Sequence, residues 1–487
     1  MPNHFDPSPS EPALRNLYVG KSLGQVNAPA AILDRAIVKR NCGQMLDACR
    51  SLRVGFRAHV KTHKTTEITQ MQVGSGPGPV SIVISTLAEA EHLLEYLCQC
   101  KRDDRSLSVL YGIPLPPSRV QRLGELGQAL GPGSISVLID HPGQLDVLPA
   151  LKEAAGFTIG LFVKVDTGYH RAGLKTNSSE FAVLVDTLLN HVELAGWGEL
   201  RGFYSHAGHS YGGDSEIAAM DMLVQEIGGL QDAAKFVKKK AANVSGSKAN
   251  RAFVLSVGAT PTATSIQNIL RGGSQRQLPE MRQHIARLCR IIEEANEQDE
   301  TSVELHAGVY TLLDMQQLAT RARPSATSTQ HAEEQPSPLS TSDVALTILA
   351  EIASLYPARD PPEALIAAGS LALGREPCKS YTGWGVVSDW GLPSQQGHGD
   401  RRSGWEVGRI SQEHGILRKD TSSAGIVTPE LEIGRKMKAL KIPSSLSWYL
   451  SRDTAEKETV VAFEYIERDP RSCRTTHALG LSFEAPR

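Results

Sequence analysis

The sequence predicts an α/β chain, a (β/α)8 TIM-type barrel with a second, C-terminal β-rich domain. Three observations carry this reading. Short runs rich in β-branched residues alternate with segments whose apolar residues recur at three- and four-residue spacing. There are eight such strand-like runs, the number that closes a parallel barrel, although an open doubly wound sheet would keep the same alternation. A Pro-, Ser- and Thr-rich stretch, RARPSATSTQHAEEQPSPLSTS at 321–342, then separates these units from β-rich segments without long helices.

In chain order, residues 1–30 form an N-terminal segment expected to join the β-rich domain. Its opening, MPNHFDPSPSEP, has no apolar stretch of the kind a secretion signal needs. The barrel is expected over 31–320, with strands at 54–60, 80–86, 107–112, 134–140, 160–166, 200–206, 253–259 and 302–308. Helices are expected between them, among others at 87–100, 118–130, 142–154 and 181–192. The long pattern EIAAMDMLVQEIGGLQDAAKFVKKK reads as a helix, with its basic run at 235–240 as a solvated end. Residues 321–342 form the linker or loop, and 343–487 the β-rich domain, with a polar loop around 394–404.

Composition narrows the class. The 487 residues are 40% hydrophobic and 21% charged, with a formal net charge of −2, so no global field favours nucleic acid or acidic lipid. No stretch approaches the ~20 apolar residues that cross a bilayer. Seven cysteines without framework spacing suit a reducing interior, and a cytoplasmic enzyme is the expectation.

Strand parity places the chemistry. In RAHVKTHKT, Val54, Phe56, Ala58 and Val60 share the face that packs under helices, and Gly55, Arg57, His59 and Lys61 share the face turned into the barrel. Lys61 falls at the C-terminal end of the inward row, where barrel enzymes gather their reactive groups. An amine there is desolvated, its pKa falls, and it suits imine formation with a carbonyl cofactor. A buried ion pair with Asp166 is the equally open alternative. The same parity places Tyr204 and His206 together at the end of the sixth strand. After the seventh, Gly258, Ala259, Thr260 and Thr262 offer close backbone approach and hydroxyls for a phosphate. Tyr310 is expected on the rim after the eighth. Amine, imidazole, phosphate cradle and phenol on one rim fit a pyridoxal phosphate pocket.

The motifs HVKTHKT, KVDTGYHRAG, YSHAGHSYGG, SVGATPTAT, ELHAGVY and GREPCKSYTGWG occur in one order. Together they resemble the fungal D-serine dehydratase and D-threonine aldolase-like family, whose barrel is similar to that of alanine racemase. The resemblance covers about residues 15–430. It implies that Lys61 binds pyridoxal 5′-phosphate covalently and acts catalytically. It further implies that His206 lies beside the cofactor ring with Tyr204 close by, and that Arg171 hydrogen-bonds within the pocket. Gly258, Ala259 and Thr260 would hold phosphate, with Tyr310 at the rim.

The resemblance also implies zinc or another divalent metal to assist loss of the β-hydroxyl. Its ligands are expected in a His-x-Cys or His-x-Asp motif beyond QEHGIL, which runs from Gln412 to Leu417. That motif is not found there. Cys473 and His477 have the wrong order and spacing, and His398 and Asp400 have the spacing but precede Gln412. After about residue 439 the family texture stops, as in sequence read from another frame or from a retained intron. The implied activity is a lyase acting on a D-3-hydroxyamino acid, foremost dehydration of D-serine to pyruvate and ammonia. Retro-aldol cleavage of D-threonine, amino-acid racemisation and a metal-site-defective cofactor-binding protein are the alternatives. A homodimer is implied, with neither nucleic acid nor membrane as partner.

Overall fold

The computed structural model describes residues 11–244, 252–271, 279–297, 301–325, 338–374, 376, 378, 380–392, 402–420, 428–441, 463–466 and 476–479. Helix α1 (Glu11–Tyr18) and strand β1 (Ala30–Leu33) come first. Eight parallel strands then close a barrel: β2 (Gly55–His59), β3 (Val80–Ile84), β4 (Leu107–Pro114), β5 (Ile135–Ile139), β6 (Ile159–Lys164), β7 (Gly198–Tyr204), β8 (Phe253–Val257) and β9 (Thr301–Ala307). Because β2 pairs with both β3 and β9, the sheet has no free edge, and the open-sheet alternative is excluded.

The helices of the barrel are α2 (Arg35–Ser51), α3 (Thr66–Val73), α4 (Leu87–Arg102), α5 (Val120–Leu130), α6 (Leu148–Ala155), α7 (Ser179–Thr187), α8 (Glu216–Ala241), α9 (Thr260–Thr264), α10 (Pro279–Glu297) and α11 (Met315–Thr320). Several begin at side chains suited to the task. Asp34, Thr65, Thr86, Ser178 and Ser215 each accept a hydrogen bond from a first-turn N–H. Strands β3, β5 and β6 are buried along their whole length, as parallel strands covered on both faces must be. One apolar layer lies between strands and helices, and a smaller one, with Val83, Leu110, Leu138, Phe162 and Tyr204, fills the barrel itself. The basic end of α8 is solvated as expected, with Lys240 paired to Asp186 at 3.0 Å.

The second unit is antiparallel. Strands β10 (Leu346–Tyr356), β11 (Glu363–Ile366), β12 (Gly385–Ser388), β13 (Arg402–Ile410), β14 (Gly415–Lys419) and β15 (Lys436–Lys441) form a sheet that closes where β15 pairs with β10. Strand β1 joins it through the register Ala30↔Leu349. The apolar run at 364–373 divides into β11 and a single helical turn, Ser370–Leu373. Apolar residues of this sheet share a core with Val38, Cys42, Ile68 and Leu312 from the barrel side. The junction also carries polar contacts. Arg40 pairs with buried Asp343 at 3.1 Å, and Asn41 donates to the carbonyls of Thr311 and Asp343. Two short strands, Phe463–Ile466 and Thr476–Leu479, form a separate hairpin. His398, Asp400 and Cys473 lie outside the described residues, as does 326–337 of the linker.

Candidate active site

Polar residues on the inward strand positions are stacked in layers. In the lower layer Arg57 donates to Glu304 (2.6 and 3.2 Å) and to the Ser108 carbonyl and hydroxyl (both 3.0 Å), and Ser256 donates to Glu304 at 2.9 Å. Above it, His59 Nε2 lies 3.0 Å from the Tyr204 hydroxyl and 3.3 Å from His306 Nδ1. The Tyr204 ring stacks on His306 at 4.3 Å. These rings are enclosed, and burial lowers the pKa of His59 and His306, the latter to about 3. Both imidazoles are therefore neutral at physiological pH.

The C-terminal ends of the strands form the mouth. Lys61 reaches water there, yet enough protein crowds its amine that desolvation, and then the Arg171 charge, lowers its pKa. The alternative ion pair with Asp166 does not form. Asp166 instead accepts from His170 Nδ1 at 2.7 Å and from the N–H groups of Gly168 and His170. A second amine, Lys164, is buried at the end of β6, its Nζ 4.7 Å from the centre of the Tyr204 ring. Desolvation and then Arg171 bring it down to about 8. The Arg171 guanidinium itself lies over the Tyr169 ring at 4.9 Å. His206 is held through Nδ1 to the Gly258 carbonyl at 2.8 Å, and burial lowers its pKa well below the ordinary range.

The loop after β8 is shaped from behind. Gly258 has φ +138°, and a Cβ there would stand 2.5 Å from the His306 carbonyl oxygen, so only glycine fits. The Ala259 N–H donates to Thr262 Oγ1 at 2.9 Å, and the Gly258 N–H lies near enough to the Glu226 carboxylate to favour its charge. These two residues thus shape the loop, and the Ala259 amide is already used. Thr260 differs: its hydroxyl is buried and makes no hydrogen bond, although the Tyr211 side chain stands close by. The turn at Gly208–Gly212 packs beside α9, and there the Ser210 hydroxyl and His209 Nδ1 are likewise buried and unpartnered. Buried polar atoms are rarely left so. Two spare hydroxyls beside a tight glycine loop, facing a mouth with two amines, fit the phosphate of pyridoxal phosphate.

One expected site residue is displaced. Tyr310 is buried beneath α2, edge-on to Phe56 at 5.6 Å and beside Cys42 and Cys49. A single turn, Val309–Thr311, follows β9 and ends the two-residue alternation, so the ring turns outward from the barrel, away from the rim. Three residues of the site went unread in the sequence: Lys164, His306 and Glu226. The first two follow from the parity of GLFVKVD and ELHAG. Glu226 stands out as a charge on the apolar stripe of α8, between Leu223 and Leu230.

Among the described residues the metal expected from the resemblance finds no ligand set. The stretch from Gln412 to Leu417, beyond which its motif is expected, makes the turn from β13 into β14. Gln412 and His414 are exposed there, the Ser411 N–H donates to the His414 carbonyl at 2.8 Å, and Leu417 is buried in the core of the antiparallel sheet. The stretch is thus a strand connection that presents no cluster of donors. Among the described residues no group of three or more His, Cys, Asp or Glu side chains could hold a metal ion.

Fold and site together define an alanine racemase-like barrel enzyme. The family model for the alanine racemase N-terminal domain matches residues 33–261, and that for a serine dehydratase domain matches 345–441. The chain is 35% identical to a D-serine dehydratase of Schizosaccharomyces pombe, over 84% of each chain. It is 30% identical to a D-serine dehydratase of Saccharomyces cerevisiae, over 82% of this chain and 86% of the relative. The solved D-threo-3-hydroxyaspartate dehydratase of Delftia shares the fold, with TM-score 0.61 and 22% identity, over 88% of this chain and 93% of that one. The protein belongs to the D-serine dehydratase family, a family of lyases.

Proposed function

We propose that the protein is a pyridoxal phosphate-dependent dehydratase that converts D-serine to pyruvate and ammonia, with Lys61 as its catalytic residue. One observation carries the reading at the site: an amine of lowered pKa shares the barrel mouth with buried, unpartnered hydroxyls on the adjoining loops. Lys61, Arg171, His206 and Thr260, with Ser210, would hold the cofactor. When bound, pyridoxal phosphate supplies an aldehyde that captures the substrate amine and an electron sink that acidifies its Cα–H.

The chain's own residues supply the rest. Desolvation, and then the Arg171 charge, lowers the Lys61 pKa and so favours its neutral amine, the form suited to attack a carbonyl carbon or to accept a proton from Cα. His206 stays neutral, because burial and the neighbouring His306, Lys61 and Arg171 all disfavour its cation. An uncharged imidazole would bring no positive charge to a cofactor bound beside it. Lys164 and Arg171 add positive charge beside the site, suited to a carboxylate substrate.

The same proposal places a homodimer in the cytoplasm. The six described cysteines are unpaired, which suits a reducing compartment, and among the described residues no helix is long and apolar enough to cross a membrane. Purified protein supplied with pyridoxal phosphate and D-serine, with and without added zinc, is expected to release pyruvate and ammonia in equal amounts. Glycine and acetaldehyde from D-threonine would replace the dehydratase reading with an aldolase. Borohydride reduction of the loaded protein is expected to fix the cofactor on Lys61, and a label on any other residue would overturn its assignment.

A further inference from the structure

We propose that Glu226 is a positioning residue that sets the phosphate-binding loop after β8, and through it the preference for a phosphorylated cofactor. This rests on the reading above that pyridoxal phosphate is the cofactor.

The geometry is specific. Glu226 lies inside α8, 1% exposed, with its carboxylate turned toward the barrel mouth. One oxygen accepts from the Ser205 hydroxyl at 3.1 Å and the Ala207 N–H at 2.8 Å, both on the loop after β7. The other accepts from the Thr262 hydroxyl at 2.9 Å, in α9 directly after the loop that follows β8, and the Gly258 N–H of that loop favours the charged carboxylate. One side chain therefore ties two loops together from behind. Ser205 extends the tie to a third, meeting the Thr167 hydroxyl at 2.6 Å on the loop that leads to Arg171.

The direction of these bonds matters. By holding Thr262, Glu226 leaves Thr260 as the residue at the start of α9 whose hydroxyl makes no hydrogen bond. Thr262 in turn fixes the Ala259 N–H. A buried carboxylate is costly to keep in an apolar helix stripe unless its hydrogen bonds are filled, and burial pushes this one up to about 7. Its retention there is explained by the loops that it organises. Glu226 touches neither Lys61 nor Thr260, and its role is exerted through the loop.

The test separates loop positioning from general stability. Apo-protein is titrated with pyridoxal phosphate and, separately, with pyridoxal, which lacks the phosphate, and melting temperatures are recorded alongside. For Glu226→Ala we expect pyridoxal phosphate binding weakened about 10- to 100-fold, with pyridoxal binding nearly unchanged. Glu226→Gln keeps the two bonds made by one oxygen, and its loss should be about tenfold smaller than that of the alanine variant. It also supplies the measurement if the alanine variant fails to fold. Equal weakening of both ligands, or none for either, overturns the positioning role alone. Wild-type protein that binds neither ligand overturns the cofactor reading beneath it.

Discussion

The two ends of the barrel treat buried polar groups in opposite ways. In the lower layer every nitrogen of Arg57 that can donate finds an acceptor, and both Glu304 oxygens are used. At the mouth, Thr260, Ser210 and His209 each keep a buried polar atom with no protein partner. Both sets lie on inward positions of the same strands or the loops that follow them. The contrast teaches that an unfilled polar group points to function when it lies beside reactive side chains, since Ser136 inside the barrel and Tyr18 and Asn41 outside it also keep a polar atom without a partner.

Mutations should break this contrast cleanly, beginning with the largest effect. Lys61→Ala should lower D-serine turnover at least about a thousandfold while leaving the urea unfolding midpoint unchanged. A turnover loss below tenfold would remove Lys61 from the chemistry. In the lower layer Arg57→Ala leaves Glu304 buried without its cation, and should destabilise the protein by about 3–5 kcal/mol. Chemical denaturation measures this, and an unchanged midpoint would show that the network is not structural. Thr260→Val sharpens the comparison, because it removes a hydroxyl that has no partner in the free protein. Apo stability should stay within about 0.5 kcal/mol, and pyridoxal phosphate affinity should fall about tenfold or more. Titration of the cofactor against both proteins decides it.

The smallest effect concerns the enclosed imidazoles. Burial brings His306 down to about 3, and His63, enclosed in the turn after β2 with its Nε2 2.9 Å from Gln72 Oε1, to about 4. As pH falls through about 6.5, the unfolded chain takes up protons that the folded chain refuses. Their contribution is therefore full above about 6.5 and is lost on the way down to those values. Urea midpoints measured from pH 7 to pH 4 should fall, and His63→Gln should flatten the slope.

Much of this was legible in the sequence. All eight barrel strands lie where the apolar runs place them, because parallel strands in such a barrel are short, buried and regularly spaced. Parity gave the inward row of Arg57, His59 and Lys61, and it placed Tyr204 and His206 on one face, whereas the contacts of Tyr204 with His59 and His306 emerge only from the fold. It failed at Tyr310, where one helical turn after β9 ends the alternation. The state of each polar group was not legible. Glu304 meets Arg57, and Asp166 turns to His170 and away from Lys61, through contacts that depend on tertiary geometry. Gly258 and Ala259 were likewise expected to hold a phosphate, and the Ala259 amide instead meets the Thr262 hydroxyl, which a carboxylate from a distant helix fixes in turn.

The pairing of β1 with β10 has a consequence for how the chain is made. Ala30–Leu33 leaves the ribosome before any barrel strand, and its partner at Leu346–Tyr356 emerges only after the last of them. During synthesis the barrel can close while this early strand stands idle at its side. A message cut short before β10 would thus yield a finished barrel carrying an unmatched sticky edge, a natural target for quality control.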